Sequence, residues 1–468
     1  MTKHTFGSTS SRRRRPSLLV WLLMTMFASM PVGSKAADWP QWRGPYGNGI
    51  GDGVDLPVQW GPNENIAWKI ELPSWSGSSP IVWQDYVWVI SPGPQQEPDT
   101  DAAEPQERRR RRGRFGTNVG GPGGPDIRLL CLRRQDGTLR WQRELDKGNQ
   151  LRLKHNSSSP SPVTDGVHVW ATTGNGVVVA LDLNGREIWR VDLQERYGRF
   201  GMQFGYASSP LLYQGKLIFQ VLHGQRTDDP SYLVALDSAT GRQLWHSERA
   251  TDARRESPDA YTTPTVLSHA GTDQIVILGA DYVTGHDPDT GAERWRSGGL
   301  NPQKAGNYRI VPSPLAVDGM IYAPTRKMPL LALRAGGSGD ITSTHLAWRW
   351  QESGAPDVPT PVCDGRFFYM ADDQGRVTCL NAKTGTVIWG PHDTGIGSVS
   401  ASAVLADGKL YIVSESGETA VVQAGPEYKL VARNQLDGGF TLSSPAVAGN
   451  RLFIRTAGHL YCIGKVQR

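Results

Sequence analysis

A Ser/Thr-Pro step followed by a short apolar strand recurs along this chain, and that recurrence restricts the fold more than any other feature. The copies are Ser79-Pro80-Ile81, Ser161-Pro162-Val163, Ser209-Pro210-Leu211, Thr263-Pro264-Thr265, Ser313-Pro314-Leu315, Thr360-Pro361-Val362 and Ser444-Pro445-Ala446. An eighth, Ser402-Ala403-Val404, lacks the proline. A few residues on, turns such as Asp165-Gly166, Gln214-Gly215, Asp318-Gly319, Asp364-Gly365 and Asp407-Gly408 lead into alternating apolar strands, for instance Lys216-Leu217-Ile218-Phe219. That is hairpin chemistry. The third strand of a unit ends in a turn whose Gly lies four residues before a Trp: Gly137 to Trp141, Gly185 to Trp189, Gly241 to Trp245, Gly291 to Trp295 and Gly385 to Trp389.

Four-stranded units of roughly 40 to 55 residues have the period of propeller blades. One such unit cannot bury both faces alone; radial stacking does so, and a Trp is large enough to fill the gap to the next blade. Eight inner strands start but only seven units are complete, because the last, from Phe440, runs out after three strands. Ile66 to Leu72, with Trp68 in the Trp slot, supplies the missing strand and leaves no open sheet edge. The expected fold is therefore all-β, an eight-bladed β-propeller of four-stranded antiparallel blades over residues 66–468, closed by the N-terminal strand. Residues 38–65 form an extension packing on it. Residues 91–126, rich in Pro, Gly, Gln, Glu and Arg without apolar periodicity, read as a disordered insertion in the first blade.

Residues 1–37 read as a signal peptide: Arg12 to Arg15 as charged region, Leu18 to Phe27 as apolar region, and Ser34 and Ala36 placed for cleavage after Ala36 or Ala37. The apolar run is short for a membrane helix, which needs roughly 20 apolar residues. With no Cys before Cys131, the expectation is an exported protein, periplasmic or extracellular, without a lipid anchor or a transmembrane segment in the mature chain. Arg12 to Arg15 and the run Arg108 to Arg112 more than account for the net charge of +5, so the folded body is near neutral or slightly acidic and a nucleic-acid surface is not indicated. Arg108 to Arg112 read as a solvated loop, with contact to an acidic polymer or lipid headgroups as the functional alternative.

The unit Ala235-Leu236-Asp237-x-x-Thr240-Gly241-x-x-x-Trp245 resembles the repeat of pyrroloquinoline-quinone-type (PQQ-like) propellers. That superfamily holds quinoprotein alcohol dehydrogenases and BamB-like outer-membrane assembly proteins. The opening Asp38-Trp39-Pro40-Gln41-Trp42-Arg43-Gly44-Pro45, with Asn65-Ile66-Ala67-Trp68-Lys69 after it, resembles the start of secreted members, and the resemblance covers residues 38–468. It implies the fold firmly and the chemistry weakly, since the Trp motif packs enzymes and non-enzymes alike. The enzymes sandwich a quinone between a Trp and a disulfide of neighbouring cysteines, with calcium held by carboxylate and amide oxygens and an Asp as base. No two cysteines are adjacent here. The reading is a non-catalytic scaffold or ligand-binding propeller without a cofactor or metal. A PQQ- and calcium-dependent dehydrogenase of alcohols or sugars and a BamB-like assembly component stand as alternatives.

Cys131, Cys379 and Cys462 share one repeat slot, which other blades fill with Ala180, Ala235, Gly285 and Ala332; they read as small packing residues, against a closing Cys131–Cys462 disulfide. Candidate ligand residues are those just before the inner strands, which line the mouth of the central channel: Trp75, Lys154, His155, Phe204, Tyr206, Tyr261, Tyr308, Arg309, Asp357 and Phe440. Loops between second and third strands add Asp281, Tyr282, Arg326, Lys327, Asp372, Asp373 and Glu415. An aromatic rim carrying both charge signs suits a protein segment or polysaccharide bound by a monomer. The competing reading is that these aromatics only plug the channel. Trp68, Trp141, Trp189, Trp245, Trp295 and Trp389 are expected to dock neighbouring blades.

Overall fold

A computed structural model describes residues 38–95, 121–326, 328–437 and 439–465, together with residues 1 and 2. Residues 3–37 of the proposed signal segment, residues 96–120 of the proposed insertion with the run Arg108 to Arg112, and Lys327 lie outside the described residues. Ser91, Pro92 and Asp126, expected in that insertion, belong instead to the paired strands Tyr86–Pro92 and Asp126–Arg133. From Ala36 onward the chain is one compact unit built as an eight-bladed propeller of antiparallel four-stranded sheets. The inner strands of blades 1 to 8 are Ile81–Trp83, Val163–Thr164, Leu211–Tyr213, Thr265–His269, Leu315–Val317, Val362–Cys363, Val404–Ala406 and Ala446–Ala448. Blade 8 is completed by the N-terminal strand Ile66–Glu71, which pairs with His459–Ile463 and sets Trp68 opposite Cys462.

The Ser/Thr of the repeated step has a physical task. Each accepts, through its side-chain hydroxyl, the backbone N–H of its counterpart in the preceding blade. Ser79 donates to Ser161 (2.9 Å), Ser161 to Ser209 (3.0 Å), Ser209 to Thr263 (3.1 Å) and Thr263 to Ser313 (2.8 Å). Ser313 then donates to Thr360, Thr360 to Ser402, Ser402 to Ser444 and Ser444 back to Ser79, each at 3.0 Å. This closed belt satisfies eight N–H groups that no sheet could pair, because they lie where the strands converge on the axis. Position 402 keeps its hydroxyl, so the loss of proline at position 403 leaves the belt whole.

The core lies between blades rather than on the axis. In the second strand of blade 3, Leu217 and Phe219 pack toward blade 2 while Ile218 packs toward blade 4. The strand is therefore apolar on both faces, as a sheet covered on both sides demands. Gln214-Gly215, Asp318-Gly319 and Asp407-Gly408 all hold positive φ at both positions, the conformation of a tight hairpin turn.

Blades are fastened at the outer rim by tryptophan. Trp141 donates its indole N–H to the carbonyl of Leu183 at 2.9 Å and covers Gly185, where a Cβ would come within 2.7 Å of the ring. Trp68 repeats this on Arg134 and Gly137, Trp189 on Ser238 and Gly241, and Trp245 on Pro288 and Gly291. The turn glycine thus serves the Trp of the blade before it. Trp389 donates to the carbonyl of Gly425. Trp295 departs from the expected pattern: it is buried against blade 5 but donates to Gln274 of its own blade at 2.6 Å. No glycine of the blade 5 turn lies under its ring, because the connection around Ala335–His345 is expanded and pairs Gly339–Asp340 with Glu293–Ser297. Trp348 is a dock that the sequence pattern missed, since residue 344 is Thr; it donates to Ala382 and covers Gly385.

The small-residue slot also has a cause. Cys131, Ala180, Ala235, Gly285, Ala332, Cys379 and Cys462 each lie directly across the sheet from a Trp: Trp141, Trp189, Trp245, Trp295, Trp348, Trp389 and Trp68. At Gly285 an added Cβ would come within 2.2 Å of Trp295. All four cysteines are buried free thiols, and burial pushes the Cys131 thiol up to about 12, where a thiolate nucleophile is not formed at neutral pH.

Candidate functional site

Residues 38–56 run along the inner strands. Trp39 pairs with Val82 of blade 1, the carbonyl of Pro40 accepts from Thr164 of blade 2, and Ile50–Gly51 pairs in parallel with Leu405 and Ala406 of blade 7. Arg43 is buried on this path. One guanidinium nitrogen donates to the carbonyls of Thr360 and Ala403, both at 3.3 Å; the other donates to Asn48 (2.6 Å) and Pro361 (2.5 Å). With no carboxylate partner among the described residues, burial lowers its pKa to about 9, and the converging carbonyls do the work of a counter-charge. Trp42, under which Arg43 sits 5.7 Å from the ring centroid, forms the floor of a cavity of about 600 Å³ on the axis.

That cavity, the cup, has three tiers. Near the floor stand the belt hydroxyls of Ser161, Ser209, Thr263, Thr360, Ser402 and Ser444. All accept belt bonds and, among the described residues, none donates, so each keeps a proton to give. The wall carries Val311, Val358, Val399 and Leu442 with the faces of Phe204 and Tyr261. The mouth is ionic. Lys154 pairs with Glu415 at 2.7 Å, and Ser400 also donates to Glu415 at 2.5 Å. Arg309 lies 3.7 Å from Glu256 and 3.6 Å from Asp357, with its guanidinium 5.6 Å above Phe204. Arg326 approaches Asp357 at 3.7 Å. Asp373 accepts the N–H groups of Asp357 and Val358, and burial raises its pKa.

His155 stands at the wall, edge-on to Tyr261 with ring centroids 6.2 Å apart. Burial holds its pKa down to about 4, so the imidazole is neutral at physiological pH, and its Nδ1 has no partner. Asp357 Oδ1 is likewise buried without one. Below the wall, Asp259 is fully buried and pushed up to about 7 by desolvation, although it accepts the N–H of Gln203.

The structure brings Lys154, His155, Phe204, Tyr261, Arg309 and Asp357 together in the cup, joined by Asp373 and Glu415. Four other expected rim residues do not line it. Trp75 is buried, donates to the carbonyl of Gly121 at 2.8 Å and meets Phe440 edge-on, so the two pack on each other beside the mouth. Tyr206 is buried in the core between blades 2 and 3. Tyr308 is tied by its hydroxyl to Thr325 and Met328. Among the loop candidates, Asp281 is buried against Ser257 and Asn301, Asp372 pairs with Arg376, and Tyr282 bonds Asp252. Trp42, Arg152, Leu153 and the belt hydroxyls escaped the sequence reading. For the hydroxyls the signal was present in the repeat itself; for Trp42 there was none, because the extension lies outside the repeat.

The carboxylates of the cup are engaged by Lys154, Arg309 and backbone N–H groups, and among the described residues no three His, Cys, Asp or Glu side chains are grouped to hold a metal. The donor set does not fit a calcium-held quinone.

The family model described as outer membrane protein assembly factor BamB matches residues 125–391 and 309–465, well over half of the chain. The chain belongs to this BamB family of PQQ-like propellers. It is 23% identical over 341 residues to the BamB of Yersinia pestis, covering 64% of this chain and 83% of that protein. The solved BamB of Moraxella catarrhalis superposes with a TM-score of 0.53 at 16% identity, over 74% of this chain and 93% of that one. A europium-containing methanol dehydrogenase superposes with a TM-score of 0.65 at 12% identity, over 92% of this chain and 98% of that one. At these identities the solved structures speak for the fold alone. The expected resemblance and the expected fold are both borne out.

Proposed function

We propose that this BamB-family propeller is an exported, monomeric, non-catalytic binding scaffold whose working surface is the axial cup. The observation that carries the reading is the cavity on the axis, lined at one place by the aromatic rings of Trp42, Phe204 and Tyr261 and by Lys154, Arg309 and Asp357. Export is supported by the charged and apolar pattern of residues 12–27 and by the family's association with outer-membrane assembly. No described helix is long and apolar enough to cross a membrane.

Outer-membrane assembly, the role in the relatives' name, is the second reading, and the family match favours it. In that reading the surface meets a protein partner. The non-catalytic reading is tested by calorimetric titration of the purified protein with quinone and calcium. No saturable heat is expected; one-to-one binding of the quinone would overturn it.

A further inference from the structure

Three features of the cup bear on the kind of molecule it takes. Most of its charges are paired in place; Arg152, bonded to Gln150, is the exception. Lys154 is paired with Glu415, Asp357 is faced by Arg309 and Arg326, and Asp373 is consumed by two backbone N–H groups. An ionic guest that seats on Lys154, Arg309 or Asp357 would have to break such a pair and leave a partly buried charge alone, which is costly.

The hydrogen-bonding capacity that remains is of both senses. Asp357 faces Arg309 and Arg326 only at 3.6 and 3.7 Å, so its carboxylate keeps acceptor capacity. Arg309 stands 3.6 and 3.7 Å from its carboxylates, beyond hydrogen-bonding reach, so its N–H groups stay available. Tyr261 accepts the N–H of Phe204 at 3.1 Å and keeps its own proton to give. The belt hydroxyls each accept one N–H and keep a proton and a second lone pair. A guest rich in hydroxyls, each both donor and acceptor, matches this mixture better than one with a single polarity.

The third feature is shape. Phe204, Tyr261 and Trp42 line the cup, and aromatic rings supply contact area for an apolar C–H face at low entropy cost. The volume of about 600 Å³ falls within the range of small-molecule sites. The floor is closed by Trp42 and the Arg43 that beneath it binds the carbonyls of blades 6 and 7. A peptide laid along the inner strands would need free backbone N–H groups, and those of the belt are already donated around the ring.

We propose that the cup binds a neutral polyhydroxylated ligand, a free sugar or the terminal rings of a saccharide chain, entering end-on from the open face. This rests on the reading of the cup as a binding site. The test is a titration of the full mature protein, followed by tryptophan fluorescence and calorimetry, with uncharged disaccharides, the matching uronates and capped dipeptides, each to on the order of 10 mM. Neutral saccharides are expected to bind, and Phe204→Ala and Asp357→Ala are each expected to weaken them about tenfold or more. Thermal melting should stay within a few degrees of the parent, since neither side chain is in the inter-blade core. Preference for uronates or dipeptides, lost in the same variants, would overturn the ligand class while leaving the cup as the site. Saccharide binding that both variants retain would overturn the site itself, as would binding of none of the three classes.

Discussion

Removal of residues 38–72 leaves a chain that does not fold cooperatively. The deletion takes away the outer strand of blade 8, Ile66–Glu71, and exposes His459–Ile463 as an unpaired apolar edge. With it go Trp39 and Trp60, both buried in the core shared by blades 7, 8 and 1, and Trp68, which fastens blade 8 to blade 1. A buried Trp is worth about 3 to 5 kcal/mol, and three of them approach the whole stability of about 5 to 15 kcal/mol of a folded domain. The carbonyls of Thr360, Pro361 and Ala403 also lose Arg43. Urea titration followed by circular dichroism should show no sigmoidal transition. A midpoint near that of the parent would mean that the ring closes without its N-terminal strand.

Trp245→Ala is expected to cost about 3 to 5 kcal/mol by opening a cavity between blades 3 and 4. The ring covers Gly291, donates to Pro288 at 3.0 Å and lies across the sheet from Ala235. The turn glycine it covers has positive φ and no side chain to fill the space. Arg242→Ala, an exposed change in the same turn, should stay within about 0.5 kcal/mol of the parent. Equal midpoints for the two variants in urea would contradict the role given to the rim tryptophans.

Much of this architecture was written in local chemistry. The Ser/Thr-Pro step, the tight turns and the Gly-x-x-x-Trp spacing recur because each blade solves the same packing problem, and the orphan strand at Trp68 followed from counting. The exceptions have local causes as well. Trp295 lost its glycine partner to an expanded connection in blade 5, and Trp348 hid because that expansion broke the spacing.

The site was less legible than the fold. Position before an inner strand places a residue near the axis but does not say whether its side chain turns inward. Lys154, His155, Phe204, Tyr261, Arg309 and Asp357 do turn inward; Tyr206 turns into a blade interface, and Trp75 and Phe440 take each other as partners. No periodicity could show that Trp42 reaches the floor, since its place depends on Arg43 finding carbonyls more than 300 residues away in sequence.

The most direct measurement of whether the axial cup is the working surface is a crystal structure of the full mature protein soaked with the disaccharide that binds it most tightly. The account predicts density for one sugar ring over Phe204 and Tyr261, with a hydroxyl within hydrogen-bonding distance of the Asp357 carboxylate or the Arg309 guanidinium. Density at the outer rim or between blades, with only water in the cup, would contradict it.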